Sequence, residues 1–333
     1  MASNYAELQP SGFTNQIRRV AIVGAGGSVG KHIVQELLKT GKHTVTALTR
    51  TGSQTKLPNG VQPVYVNYDD EASLVSALEG QECLIITLSV MAPPDTQSKL
   101  VQAAARAGVK IRDAKLLGGL VNSGLNWGRW RDAFDEIEKT GASWIAIICG
   151  FWYEHSLVLG PDGFGFNFSE KKLTLFDDGN TKINISTQVQ VGRAVATLLS
   201  LKVLPENEHD QSLTVSRWLN KPVFISSFLL SQKDMFESWK RVTGDKEDDW
   251  TIEYEPTLER HQRGLERVKN GDRSGFVEAM YSRVFFPNGD GDFEHKYGLA
   301  NTILGLPTEG LDEQTKNAKD MVDRGHNYMT NRT

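Results

Sequence analysis

The chain has 333 residues, 39% hydrophobic and 23% charged, with a net charge of −4. That length buries a substantial core in one large α/β domain or two smaller ones, and the charge balance leaves no electrostatic footprint for nucleic acid. No apolar run reaches the length that spans a bilayer, and the polar stretch from Met1 to Gln16 has no apolar signal core, so a cytoplasmic protein with no membrane partner is expected.

The first sixteen residues are expected as a disordered tail. A short apolar strand, Val20 to Val23, then runs into glycines spaced three apart, Gly24, Gly27 and Gly30, and into a helix that continues through Leu38. Thr44 to Leu48 is a second strand and Val61 to Val66 a third. An acidic helix follows from Asp69 to Leu78, where Asp69 and Asp70 suit a helix N-terminus. Cys83 to Ser89 is a fourth strand, and Gln97 to Ala107 a helix that Gly108 is placed to stop. The pattern then fails. A fifth strand starting near Val109 is interrupted by Arg112-Asp-Ala-Lys115, with Leu116 to Val121 as the substitute, and Asn122 to Trp130 reads as an irregular loop. Trp144 to Trp152 is a continuous apolar run. Beyond it, Lys172–Phe176 and Lys182–Ile185 flank the turn Asp177-Asp-Gly-Asn180, a hairpin signal. Val191 to Leu201 is a helix, Lys221 to Ser227 a last strand, and Gln232 to Val242 an amphipathic helix. Further helices lie near Leu258–Val268 and Ser274–Tyr281.

Strands alternating with helices predict an α/β fold, a Rossmann-type doubly wound parallel sheet that takes ligands at the carboxyl ends of its strands. The glycine turn has a specific use there. A dinucleotide pyrophosphate must approach unpaired N–H groups at a helix N-terminus, where the dipole favours an anion. Gly24 permits the turn, Gly27 removes a Cβ from the path of the phosphates, and Gly30 lets helix and strand close up; Ser28 and Val29 bring their N–H groups to the same point. At the end of the second strand, where an NAD site carries an acid for the ribose hydroxyls, this chain has Arg50, with Lys56 nearby. A guanidinium suits the 2′-phosphate of NADP(H), which is the cofactor expected. Cys83 and Cys149 lie in apolar runs and are expected as buried free thiols, and the histidines show no metal spacing.

Several segments resemble a known family. Gly24-Ala-Gly-Gly-Ser-Val-Gly30, Ala47-Leu-Thr-Arg50, Ser73-Leu-Val-Ser-Ala-Leu-Glu-Gly80 and Ala104-Ala-Arg-Ala-Gly-Val-Lys110 resemble the NmrA-like, isoflavone-reductase-like group of atypical short-chain dehydrogenases. Gly150-Phe-Trp-Tyr-Glu154, Gly192-Arg-Ala-Val-Ala196, Ser231-Gln-Lys-Asp-Met235, Asp249-Trp250, Arg283-Val-Phe-Phe-Pro287 and Gly291-Asp-Phe-Glu-His295 resemble its fungal members. The resemblance implies an NAD(P)-binding Rossmann domain over residues 17–155 and a smaller interleaved C-terminal substrate lobe over 156–320. Elements near 182–201 and 221–227 return to the first domain, and 321–333 form a tail. It also places Gln97, at the start of a helix, near the cofactor, although a solvated glutamine fits there equally.

Family members are either NADPH-dependent reductases of small, often aromatic molecules or redox sensors that bind dinucleotide without turning it over. The reductases carry a Pro-Ser-Glu-Phe-Gly-like segment after the fifth strand and a general-acid/base lysine on the next helix. This chain has neither, since no lysine occurs from Leu116 to Glu138. Lys115 stands nearest and is kept as a catalytic candidate. Phe151, Trp152, Tyr153 and His155 follow a strand's carboxyl end. Two readings stand for them: a substrate pocket walled by Phe151, Trp152 and Phe164 with Tyr153 or His155 as proton donor, or core side chains. The expected function is an NADPH-dependent oxidoreductase acting on a small aromatic or unsaturated carbonyl metabolite in fungal secondary metabolism. The alternative is an inactive NADP(H) sensor with a protein partner such as a transcription factor.

Overall fold

The structure is a computed structural model that describes residues 5–88, 92–109, 111–117 and 127–325, with 111–117 and 127–131 known by backbone alone. The chain divides into two compact units. The first draws on Met1–Leu116, Gly128–Ile147 and Val191–Val223; the second draws on Ile148–Gln190 and Phe224–Thr333.

The first unit is built on a seven-stranded sheet. In chain order its elements are β1 (Arg19–Val23), α1 (Gly30–Lys39), β2 (Thr44–Arg50), β3 (Gln62–Val66), α2 (Glu71–Leu78), β4 (Cys83–Ile86), α3 (Thr96–Arg106), β5 (Ile111–Leu117), α4 (Trp127–Lys139) and β6 (Ser143–Ile148). The sheet order is β11-β6-β5-β4-β1-β2-β3, where β11 is Lys221–Phe224. β1 pairs in parallel with β2 and β4, β2 with β3, and β4 with β5. Chain order reverses at β1, between β2 on one side and β4 on the other, so a switch point lies at the carboxyl end of β1. Continuous apolar strands are what this arrangement needs, because both faces are covered. Ala21 and Val23 of β1, with Leu84 and Ile86 of β4, pack on Leu74 and Leu78 of α2 and Leu100, Ala103 and Ala104 of α3. The alternate residues Val20 and Ile22 are buried on the opposite face. There α1 meets α6 (Gln188–Leu199) at Gly192, where a Cβ would lie 2.6 Å from the His32 carbonyl oxygen. Asp70 caps α2 by accepting from the N–H groups of Ala72 and Ser73.

The second unit holds two three-stranded sheets. One orders β12-β10-β7 and the other β13-β9-β8. Its elements are β7 (Phe151–Trp152), α5 (Tyr153–Leu157), β8 (Phe166–Asn167), β9 (Lys172–Phe176), β10 (Ile183–Ser186), β12 (Phe228–Leu230), α7 (Gln232–Thr243), β13 (Thr251–Glu255), α8 (Thr257–Lys269), α9 (Gly275–Val284), α10 (Phe293–Tyr297) and α11 (Leu311–Asp323). Its core gathers Phe151, Phe164, Phe166, Phe176, Trp239, Trp250, Tyr281 and Phe285. No helix among the described residues is long and apolar enough to cross a membrane, and Cys83 and Cys149 are both buried and free.

Four expectations are corrected. Residues 5–16 are not a disordered tail: Ala6 and Glu7 donate to the carbonyls of Pro205 and Glu206, and Asn15 bonds Leu204 in both directions at 2.8 Å. Lys172–Phe176 and Lys182–Ile185 do not form a hairpin. Both edges of β9 are taken by β8 and β13, and the Asp177 N–H continues that ladder by donating to the Glu255 carbonyl. The Asp177–Asn180 turn therefore carries the chain into the other sheet. Trp144–Trp152 is two strands in two sheets, split where Gly150 takes a φ of +62° and presses against the Asn184 carbonyl. The fifth strand runs through Arg112–Lys115 as β5, and α4 begins at Trp127 inside the stretch expected as loop. Residues 1–4, Ser89, 118–126 and 326–333, on which parts of the tail, strand and loop expectations fell, lie outside the described residues.

Candidate functional site

The glycine turn sits at the switch point. β1 ends at Val23, and Gly24 turns the chain with a φ of +85°, a conformation that disfavours any side chain. Space excludes one as well. A Cβ on Gly24 would lie 2.5 Å from Thr87 Oγ1 and 2.6 Å from the Thr87 carbonyl oxygen. Thr87, just past β4, is fastened there because its N–H and its hydroxyl both donate to the Val23 carbonyl, at 3.0 and 2.7 Å. The Gly27 N–H donates to the Gly24 carbonyl at 2.9 Å, and a Cβ at Gly27 would stand 3.1 Å from the same oxygen. A Cβ at Gly30 would collide with it outright. Sequence spacing identified these three glycines; it missed Thr87, which carries no motif signal.

The start of α1 has open donors. Helical bonding reaches back only to Gly27 and Val29, through Lys31 to Gly27 at 3.2 Å and Ile33 to Val29 at 3.1 Å. The N–H groups of Ser28, Val29 and Gly30 donate to no acceptor among the described residues. With no acid in the first turn of this ten-residue helix, its N-terminal partial charge is unanswered. The cradle, the open donors and the missing Cβ atoms together fit a dinucleotide pyrophosphate.

Arg50 closes β2 opposite Val66 of β3. It is exposed and pairs with no carboxylate among the described residues. Its charge is felt at Tyr68, whose phenol burial pushes to a higher pKa and Arg50 pulls back. The chain then turns, with the Ser53 N–H donating to the Arg50 carbonyl at 2.9 Å, and brings Thr55 and exposed Lys56 over Gly26. The structure thus gathers Gly24, Gly27, Ser28, Val29 and Gly30 and seats the Lys56 backbone beside them. Gln97 is the second residue of α3 and partly buried.

In the second unit, Phe151 and Phe164, expected as pocket walls, are side chains of the apolar core. The Phe151 ring stacks on Tyr281 at 4.0 Å, and Phe164 meets Phe151, Tyr281 and Phe285 edge-on. Tyr153 is wholly buried, its hydroxyl 2.6 Å from Thr315 Oγ1 on α11, and burial pushes its pKa up. Thr315 Oγ1 continues to Ser238 Oγ at 2.7 Å, and Ser238 donates to Asp312, which holds Arg241. That run of bonds ties α5, α11 and α7 together. Trp152 is half-buried, and His155, buried, meets its ring edge-on at 5.7 Å. Lys115 falls on β5, and its side chain lies outside the described residues. No group of acids, histidines and cysteines that could hold a metal occurs among the described residues.

A cleft of about 520 Å³ also opens in this unit beside Arg260, Arg263 and Arg267 of α8. Its cations are already answered. Arg260 lies 3.3 Å from Glu255 and 3.8 Å from Glu278, Arg263 bonds both acids, and Arg267 bonds Glu278 at 2.7 Å. Glu278 is only 1% exposed, so these pairs hold α8 to α9.

A family described as NAD(P)H-binding matches residues 24–111, a span that holds both the glycine turn and the Arg50 loop. The chain is 28% identical over 306 residues to the oxidoreductase aprR of Aspergillus flavus, covering 89% of this chain and 96% of that one. Among solved structures it resembles an isoflavone reductase, with a TM-score of 0.66 at 20% identity over 91% of this chain and 99% of the other. It also resembles the NADPH-dependent quinone oxidoreductase QOR2 of Escherichia coli, solved with NADPH, with a TM-score of 0.59 at 20% identity over 90% and 99%.

Proposed function

We propose that this chain is an oxidoreductase of the NmrA-like, isoflavone-reductase-like group that uses NADPH to reduce a small aromatic or unsaturated carbonyl compound. The carrying observation is the open helix start at the glycine turn in the same unit as Arg50, a surface guanidinium with no carboxylate partner among the described residues. In this reading Ser28, Val29 and Gly30 donate to the pyrophosphate, Arg50 and Lys56 bracket the 2′-phosphate, and Gln97 stands beside the dinucleotide.

When bound, the reduced cofactor supplies a hydride. Reduction of a carbonyl also needs a proton at oxygen, and His155 is our proposed donor, with Trp152 as a wall for a planar substrate. Tyr153, whose hydroxyl faces Thr315, is the other candidate. The likeness to QOR2 favours quinones as the first compounds to try. A cytoplasmic location, consistent with two free thiols, and a role in secondary metabolism belong to the same proposal.

The test is to mix the purified protein with NADPH and a panel of quinones, enones and phenolic ketones, and to follow loss of NADPH absorbance. Turnover of any panel member, with NADPH strongly preferred to NADH, supports the reading. Tight NADPH binding without turnover across the panel would leave the sensor alternative, with a protein partner, in its place.

A further inference from the structure

Gly26 was not among the residues that the glycine spacing singled out, and its backbone gives no reason for glycine. It is absent from the glycines with positive φ, so an alanine there would suffer no backbone strain. What excludes a side chain is a neighbour. A Cβ on Gly26 would run into Thr55 Cγ2 and stand 2.8 Å from the Lys56 carbonyl oxygen. The second contact is with backbone, so it cannot be relieved by rotating a side chain.

The segment resting on Gly26 is the one that follows Arg50. Its first half is fixed to the sheet, since the Thr51 N–H donates to the Val66 carbonyl at 3.0 Å and the Ser53 N–H to the Arg50 carbonyl at 2.9 Å. Gly52 takes a φ of +81° within that turn. The second half is braced by the Ser53 and Thr55 hydroxyls, 3.2 Å apart, and by the seat on Gly26. The bare Cα of residue 26 therefore sets how closely Lys56 approaches the turn.

We propose that Gly26 is a positioning residue for cofactor choice: it lets the Thr55–Lys56 segment close onto the phosphate-binding turn and so places Lys56 for the extra phosphate of NADPH. This rests on the NADPH reading given above. Gly26 itself touches no phosphate in this account. Its effect passes through the backbone of residue 56.

The test is a double-mutant cycle on the full chain, with NADPH and NADH dissociation constants measured by cofactor fluorescence for wild type, Gly26→Ala, Lys56→Ala and the double variant. Thermal melting of each variant identifies any loss of fold. Lys56→Ala should weaken NADPH about tenfold in wild type, yet less than about threefold once Gly26→Ala is present. NADH should change less than about threefold in every variant, because the pyrophosphate cradle is untouched. Adding Thr55→Ser to Gly26→Ala removes the nearer clash and should restore part of the NADPH preference. The proposal is overturned if Gly26→Ala weakens NADPH and NADH alike, or if Lys56→Ala costs the same in both backgrounds. Failure of the underlying reading shows elsewhere, as a wild type that does not prefer NADPH, and that result overturns both.

Discussion

Replacing Arg50 by Ala should remove the preference for NADPH while sparing NADH. Arg50 is exposed and engages no carboxylate among the described residues, so its loss strands no buried partner and should barely alter stability. Its full hydrogen-bonding capacity is available to a ligand. A charge-assisted contact from a guanidinium to a phosphate is worth about 1.5–3 kcal/mol, and an exposed site keeps the lower part of that range. At about 1.4 kcal/mol per tenfold, NADPH affinity should fall by roughly ten- to seventyfold. NADH has no 2′-phosphate and should bind within about twofold of wild type. Fluorescence titration at low and high salt adds a second signature. The wild-type preference should shrink as salt rises, because the Debye length falls to about 10 Å at 0.1 M, and the variant should show less of that dependence. An equal loss for both cofactors would mean that Arg50 supports the fold of the β2–β3 edge and reads no phosphate.

Glu278→Gln should destabilise the second unit by roughly 1–3 kcal/mol, because a buried carboxylate that bonds Arg263 and Arg267 and stands 3.8 Å from buried Arg260 loses its charge, while Glu255 still answers Arg260 and Arg263 and Asp272 still answers Arg267; a melting temperature unchanged in calorimetry would refute this. Tyr153→Phe removes one buried hydrogen bond, while Thr315 keeps Ser238 and the Leu311 carbonyl as partners. It should cost about 1 kcal/mol of stability and leave turnover within a few-fold, whereas a loss of about 10²–10⁴ in kcat would return the phenol to the chemistry. Stability should fall as pH drops from about 6.5 towards 4. Burial, helped by Lys31, lowers the His32 pKa to about 4, so over that window the unfolded chain takes up a proton that the folded chain refuses. His43 acts in the same direction through burial. Denaturant melts at pH 7.5 and 5 should show the slope, and His32→Gln should flatten it; an unchanged slope would assign the effect to other groups.

What was legible in the sequence was whatever a short window contains. β1, the glycine turn and α1 fall within twenty-one residues, and each constraint on them is local: an apolar strand, a turn needing positive φ at Gly24, a helix needing closeness at Gly30. The misreadings share a different cause. Asp177 and Gly179, with φ of +51° and +71°, do make the tight turn that their composition suggests. Whether such a turn closes a hairpin depends on which strand holds the edge of β9, and that strand, β13, arrives from residues 251–255. Gly150 likewise looked like one more small residue in an apolar run until the Asn184 carbonyl appeared against it. Gly26 needed the position of Thr55 and Lys56 before its lack of a side chain acquired a reason.

Catalytic residues are the extreme of the same problem. Tyr153 has a suitable hydroxyl at a suitable place in the chain, but a proton donor is defined by what stands across from it. Here that neighbour is Thr315, 162 residues later, which holds the phenol inside one unit. The cofactor half of the site is legible because a phosphate is recognised by backbone donors in sequence. A substrate site, by contrast, is made of side chains that meet only in the fold, and turnover measurements on His155 and Tyr153 variants test the proposed proton donor.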